Sequence, residues 1–511
     1  MGLQCLWGIP SRPGPSGAVC QILSWGMSMN SKKTVLLVAV AAFLGLSSCS
    51  GLKDKCTTNC GPTGDAQLSL TISDTPPTNA NVVSFTLPVV GITLTPSSGS
   101  APSLFTTGNF ELTRLQSDTA LIVSGVKVPA GTYSAINVTV SAPSGVFVNS
   151  TNSTLGTCVA NAYCAITGNA ATISYTFPTA LTLASNANQW LDLDFNYNNA
   201  IVTTNNALSI DMAQTGVMTA SNAIPAGVAS GNFANIDDFT GQITALTSSS
   251  ITVTSKLRGS VTATINSGTV WFDPQNQCPG GASSSCVGIG SVVSLQGLLT
   301  TAGVVTASSL DVIDKSTSPA DEVEGIIYPS SCTGGFAMIV SDTVINTSGS
   351  PLASSSYGSG VCLAIAQTVT FAVDSGILTN QPGVPGGSNV SGFSNLSDIL
   401  AGQTVRAKVS GAATGTNGFT NATANVLLLR FSRLTGTIQS TSGTSFYLTG
   451  LPAYLGTTFN VAAQIYTYPN ATLVEGETSI SSLSGTVSMT TLYLDAPPAQ
   501  YPFQASKVRQ H

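Results

Sequence analysis

Apolar side chains in this chain recur at every second residue, and that period constrains the fold more than any other feature. Leu68, Leu70 and Ile72 alternate with Ser69, Thr71 and Ser73, and Ile136, Val138 and Val140 alternate with Asn137, Thr139 and Ser141. A period of two sends successive side chains to opposite faces of a strand, so these segments read as half-buried strands. No comparable 3.6-residue pattern follows Leu46. Turn signals interrupt the strands at short intervals, as in Asp74-Thr75-Pro76-Pro77 and Pro129-Ala130-Gly131-Thr132-Tyr133. Short strands punctuated in this way build sandwiches or barrels, and the expected fold class is all-β.

The start of the chain carries a different signal. Leu46-Ser47-Ser48-Cys49 closes an apolar run from Thr34 to Leu46, which sits behind Lys32 and Lys33. A basic start, a short apolar stretch and small residues before a cysteine make a lipoprotein signal. The run is 13 residues long, well short of the roughly 20 that span a bilayer as a helix. The expectation is therefore a signal over 27–48 and a mature chain anchored by acyl groups, palmitate among them, on Cys49. Residues 49–65 then form a lipid-anchored linker. In the lipoproteins this start resembles, a serine such as Ser50 after the cysteine favours the outer membrane of the bacterial envelope. Residues 1–26 contain Pro10, Pro13 and Pro15 and no apolar run; they read as misassigned upstream translation, with Met27 or Met29 as the start.

Removing residues 1–48 leaves 463 residues, enough for three or four domains. The removed part holds Arg12, Lys32 and Lys33 and no acid, so the formal charge falls from −6 to about −9. That balance argues against a nucleic-acid partner, which wants clustered lysine and arginine. Eight further cysteines fall in near neighbours: Cys56 and Cys60, Cys158 and Cys164, Cys278 and Cys286, Cys332 and Cys362. An even number of cysteines in an exported chain suggests disulfides, and local pairing is the economical choice. Zinc is disfavoured because Cys56 and Cys60 have no second ligand pair nearby and the sole histidine is His511. No metal or cofactor is assigned.

An internal repeat sets the domain organisation. Gly241-Gln-Ile243 leading to Ile251-Thr-Val253 is echoed by Gly325-Ile-Ile327 leading to Phe336-Ala-Met338, and by Gly436-Thr-Ile438 leading to Phe446-Tyr-Leu448. Glycine-led closing strands recur at Gly290, Gly402 and Gly485. The expected organisation is a β-sandwich over 66–220 and β modules over 237–315, 322–430 and 434–511. Contacts between the modules are expected to be few, with cleavable boundaries near Lys315 and Arg433. The segments Leu68–Pro77, Val90–Pro96, Phe110–Leu112 and Val128–Tyr133 resemble an uncharacterised bacterial lipoprotein domain family of unknown function. The three modules resemble a second such family, of small β-barrel repeats. The resemblance implies an envelope-attached, all-β lipoprotein and brings no catalytic residues.

Motifs for chemistry are mostly lacking. With histidine only at position 511, a Ser-His-Asp or Cys-His site inside a domain is not expected, and G-x-S-x-G, G-x-x-x-x-G-K and H-E-x-x-H do not occur. One constellation stands out in Trp190-Leu-Asp192-Leu-Asp194-Phe-Asn196-Tyr197. Alternation puts Trp190, Asp192, Asp194 and Asn196 on one face, a pattern able to hold calcium or a sugar. The plainer reading is the polar side of an amphipathic strand. Asp211 could join that face if its strand pairs with this one. The function expected is a non-enzymatic envelope lipoprotein with a binding or structural role, partnered by the membrane and by a glycan or envelope protein. An adhesin or glycan-binding protein is the first alternative and a hydrolase the second.

Overall fold

The structure, a computed structural model, describes residues 64–511 apart from 76–80, 150–152, 161, 206, 333, 346–349, 385–386, 389–391, 415–418, 456–461 and 495–501. Cys49, Cys56, Cys60, the signal over 27–48 and the upstream segment lie outside the described residues. The protein is all-β.

Two sheets face each other in the N-terminal part. One orders its strands Met218–Ser221, Asn188–Phe195, Asp65–Asp74 and Ala120–Pro129. The other runs Ala162–Thr167, Ser144–Asn149, Val82–Pro96, Gly131–Val140 and Ala171–Leu183, with Ser103–Phe105 and Gly108–Glu111 also paired to Val82–Pro96. Leu68, Leu70 and Ile72 from the first sheet meet Ile136, Val138 and Val140 from the second in one core. Alternation predicts this packing, because a two-residue period points all the apolar groups of a strand to one side. One detail differs. Ser69, Thr71 and Ser73, read as a solvent face, are buried too. Their strand is internal to its sheet, and the next part of the chain covers its polar side: Gly303 packs against the Ser69 hydroxyl, and Trp190 joins the core of the following barrel.

Three smaller sheets follow, and they share one strand order. The first uses Asn232–Leu246, Ser250–Ser255, Gly259–Thr264, Val292–Thr300 and Val305–Asp314. The second uses Asp321–Cys332, Gly335–Ile345, Gly360–Val373, Thr404–Thr414 and Thr420–Arg430, and the third Ser432–Ser442, Ser445–Thr449, Ala463–Thr467, Thr486–Tyr493 and Phe503–Gln510. In each the first strand pairs antiparallel with the second and the fourth, the second with the third, and the fourth with the fifth. The third runs parallel to the fifth and closes the ring.

The recurrent glycines have a physical reason in this geometry. A Cβ at Gly241 or Gly325 would sit 2.4 or 2.1 Å from a carbonyl oxygen of the second strand, Thr254 or Ile339. Only a residue without a side chain lets the first strand coil that closely. Gly290, Gly402 and Gly485 enter the fourth strands at φ of +98°, +89° and +64°, which glycine adopts without strain.

Three of the expected disulfides are present: Cys158–Cys164, Cys278–Cys286 and Cys332–Cys362. The last ties the first strand of the second barrel to its third and closes the longest loop, worth about 3 to 4 kcal/mol as a constraint on the unfolded chain.

The expectation of sparse contacts between modules is corrected. Only Phe431 separates strand Ser432–Ser442 from the end of Thr420–Arg430. Phe431, Ser432 and Arg433 are all buried there, the Thr404 N–H donates to Ser432 Oγ across the boundary at 2.8 Å, and ionic contacts described below tie the sandwich to each barrel.

Candidate functional site

The strand Asn188–Phe195 lies parallel to Asp65–Asp74, with Thr71 opposite Asp192 and Ser73 opposite Asp194. That register places hydroxyls beside carboxylates. Thr71 Oγ1 donates to Asp192 Oδ1 at 2.6 Å, Ser73 Oγ to Asp192 Oδ2 at 2.5 Å, and Thr75 Oγ1 to Asp194 Oδ2 at 2.6 Å. Trp190 Nε1 donates to Thr71 Oγ1 at 2.9 Å, and its ring stacks on Phe233 at 6.2 Å between centroids. Trp190 is 4% exposed, so it is a packing residue with a satisfied N–H, not an open aromatic platform.

Two candidate residues are not brought to this face. Asn196 turns away to cap the short helix Tyr197–Ala200, accepting from the Asn199 N–H at 3.3 Å. Asparagine competes well for such a position, because its side chain satisfies a backbone donor the helix leaves free. Asp211 sits in a turn, where it accepts from Ala213 N at 3.0 Å and Gln214 Nε2 at 2.5 Å. The strand before it, Ala207–Ile210, pairs with Ile201–Thr204 and not with Asn188–Phe195.

The remaining three residues line a depression of about 230 Å³ that the sandwich alone does not make. Ser73, Thr75, Trp190, Asp192 and Asp194 supply one wall, Asn235 of the first barrel and Glu475, Arg509 and His511 of the third barrel supply others, and Thr219, Ser221 and Pro225 also line it. Burial pushes the Asp194 carboxyl up to about 6, aided by the neighbouring Asp192 and opposed by the Thr75 hydroxyl. Burial also raises Asp192, against the hydrogen bonds from Ser73 and Thr71. At Glu475 burial works the same way but loses to Lys507 and Arg509, which hold the carboxyl down at about 2. Neighbouring carboxyls with opposite shifts give the depression a neutral and a charged acid near pH 5.

Behind the depression lies a larger constellation that the sequence reading missed. Arg114 pairs with Asp342 of the second barrel and reaches Asp238 of the first at 3.2 Å. Arg430 pairs with Asp374 and lies 2.6 Å from Asp238; Arg433 lies 2.5 Å from Asp238 and 2.8 Å from Asp118. Arg406 binds Glu322 at 2.5 Å and Glu324 at 3.2 Å. Lys507 lies 2.7 Å from Asp237 and 3.2 Å from Glu475, and Arg509 2.9 Å from Glu475. Every one of these ions has a side chain no more than 12% exposed. Together they join the sandwich to all three barrels.

A bulge in the first strand of the first barrel builds the centre of this cluster. Pairing with Val292–Thr300 breaks between Ile236 and Phe239, so Asp237 and Asp238 together face Gln296 alone, and Asp238 takes a φ of +39°. An aspartate tolerates that conformation better than most residues. A second cavity, of about 200 Å³, opens beside it and is lined by Asp237, Asp238, Asp311, Arg430, Arg433 and Lys507 among others. The acids Asp238, Glu324 and Asp342 bring ligand-capable oxygens within 4.8 Å of one another. Arg114 lies against all three, and its guanidinium occupies the role a metal ion would take.

The matched part of the chain can now be placed. Residues 65–213 match the model of a domain family of unknown function, DUF4382. The match covers the sandwich apart from its strand Met218–Ser221, includes Trp190, Asp192 and Asp194, and ends before the three barrels. Comparison with curated proteins finds no relative.

Proposed function

We propose that this chain is a non-enzymatic lipoprotein of the bacterial cell envelope, anchored by acyl groups on Cys49 in the outer membrane, with a binding or structural role. On this reading the mature chain is a sandwich over 66–220 followed by repeats of one barrel over 237–315, 322–430 and 434–511. The observation that carries the reading is how the chain uses its few charges. Arg114, Arg430, Arg433 and Lys507 are all buried in ion pairs that fasten one sheet to another, and Arg406 and Arg509 in pairs inside their own barrels, which is the work of a rigid body and not of a centre that turns over a substrate.

Two further points support the same conclusion. The imidazole of His511 lies 2.8 Å from Ser488 Oγ, but Ser488 is fully buried against Thr435, so a substrate has no route to that hydroxyl. The strand order shared by the barrels, with the third strand parallel to the fifth, resembles that of the five-stranded Greek-key barrels that bind oligosaccharides and oligonucleotides. The burial of cationic side chains here speaks against the oligonucleotide. A glycan-binding role would rest on the depression beside Asp194, since Trp190 offers no open face.

Anchoring is the part most open to direct test. Wild-type protein should partition with membranes and give an acylated Cys49 as the first residue by mass spectrometry. Cys49→Ser should release it to the soluble fraction. An unmodified N-terminus upstream of residue 27 on membrane-extracted protein would contradict both the anchor and the start site.

A further inference from the structure

One contact in the buried cluster joins groups that can do more than attract. Lys507 is on the last strand, Phe503–Gln510, and Asp237 is in the bulge of Asn232–Leu246. Lys507 Nζ donates to Asp237 Oδ2 at 2.7 Å and lies 3.2 Å from Glu475 Oε2. Their residues are 4%, 9% and 2% exposed, respectively. Asn235 Nδ2 donates to the other oxygen of Glu475, fixing that carboxylate in place. The backbone N–H of Thr119 donates to the same Asp237 oxygen at 2.9 Å. A primary amine, a carboxyl group and a second carboxylate touching the amine are the three parts that amide condensation requires: nucleophile, electrophile and proton carrier.

We propose that Lys507 and Asp237 condense into an isopeptide cross-link, with Glu475 carrying the protons. The Lys507 ammonium first gives a proton through Glu475 to the Asp237 carboxylate, leaving a neutral amine facing a carboxylic acid. The nitrogen lone pair attacks Asp237 Cγ, a C–N bond forms, and the carbonyl electron pair moves onto oxygen, where the Thr119 N–H receives the developing charge. A second proton then passes from nitrogen through Glu475 to the hydroxyl, the C–O bond breaks, and water leaves as the carbonyl re-forms. Nitrogen keeps one hydrogen, Glu475 ends as it began, and no oxidant or cofactor is consumed.

The surroundings favour each part. Burial raises the Asp237 carboxyl despite the pull of Lys507, which favours the neutral acid, and Glu475 Oε2 stands 3.2 Å from the amine whose protons it carries. Fixed contact replaces an encounter in solution, and intramolecular reactions held in this way reach effective concentrations of about 10⁵ M or more. Low exposure restrains water from reversing the step. The bond would tie the first strand of the first barrel to the last strand of the third, closing a covalent ring around the barrel array.

Peptide mapping of the full chain, purified, reduced and denatured before digestion, decides the matter. The expected result is a peptide containing Asp237 joined to one containing Lys507, lighter than their sum by one water, with the reduced chain migrating faster than Lys507→Arg on a denaturing gel. Glu475→Gln should prevent the joining while leaving both partners in place. Separate peptides bearing unmodified Asp237 and Lys507 in the wild-type map would overturn the proposal even if neither variant folded. A cross-link from Lys507 to Asn235 with loss of ammonia would overturn the assignment of Asp237, and a cross-link surviving in Glu475→Gln would overturn the role given to Glu475.

Discussion

Asp238→Ala should be among the most damaging single substitutions in this protein, costing about 3 to 5 kcal/mol. The carboxylate is shared by Arg430, Arg433 and Arg114 and also accepts from Ser294. Burial would raise its pKa, yet those three guanidiniums hold it well below the usual carboxylate range. Truncation leaves three buried cations short of a partner, and an uncompensated buried charge is far costlier than the pair was stabilising. The effect should appear as a large fall in Tm and in soluble yield. Asp211→Ala, which removes a carboxylate from an exposed turn, should change stability by no more than about 0.5 kcal/mol. Equal, small effects for the two variants would show that the central cluster contributes little.

The second large effect is an unusual dependence on pH. Burial pushes Asp311 up to about 7, with Asp238 adding to the shift and Arg430 opposing it, and Asp194 is up at about 6. A carboxyl whose folded pKa lies above its unfolded value binds its proton preferentially in the folded state. Folding is therefore penalised at pH 8, and stability rises as pH falls through 7 and 6 toward 4. For Asp311 the shift from 3.8 to about 7 corresponds to about 4 kcal/mol across that window. Glu475 has the opposite sign. Its folded value of about 2 against 4.5 gives stability that is complete above pH 4.5 and lost as pH falls toward 2. Thermal unfolding should therefore show a maximum Tm near pH 4 to 5, and Asp311→Asn should flatten the fall between pH 5 and 8. A Tm that climbs steadily from pH 5 to 8 would contradict the placing of Asp311.

The strands and the local disulfides were legible in the sequence because both depend on short-range rules. Alternation at Leu68 to Ser73 and at Ile136 to Ser141 gives the strand and its inward face, and neighbouring cysteines such as Cys278 and Cys286 need only a loop. The glycines at 241, 325 and 436 were visible as a pattern, but their cause, a close approach of the second strand, belongs to three dimensions. What escaped was convergence. Nothing local says that Asp194 will share a depression with Glu475, some 280 residues later, or that Arg114 will reach Asp342. A signal existed nonetheless: Leu427-Leu-Leu-Arg430-Phe-Ser-Arg433-Leu and Ile236-Asp237-Asp238-Phe239 set charges inside apolar runs. In a chain with so few charges, that placement means burial and pairing, and not the exposed linker that the Arg433 boundary suggested. Asn196 failed for a simpler reason, since strand alternation was extended one residue past the point where helix capping took over.

Limited trypsin digestion of the folded protein tests most directly whether the sandwich and the barrels are locked into one body. Lys315 is exposed, whereas Arg433 is buried and bonded to Asp118 and Asp238. A bound, buried arginine in regular strand cannot enter a protease site without local unfolding. The result expected is cleavage at exposed lysines such as Lys315 with Arg433 intact until the whole chain unfolds. Early cleavage after Arg433, yielding a stable fragment that begins at Leu434, would contradict the interlocked arrangement and restore independent modules.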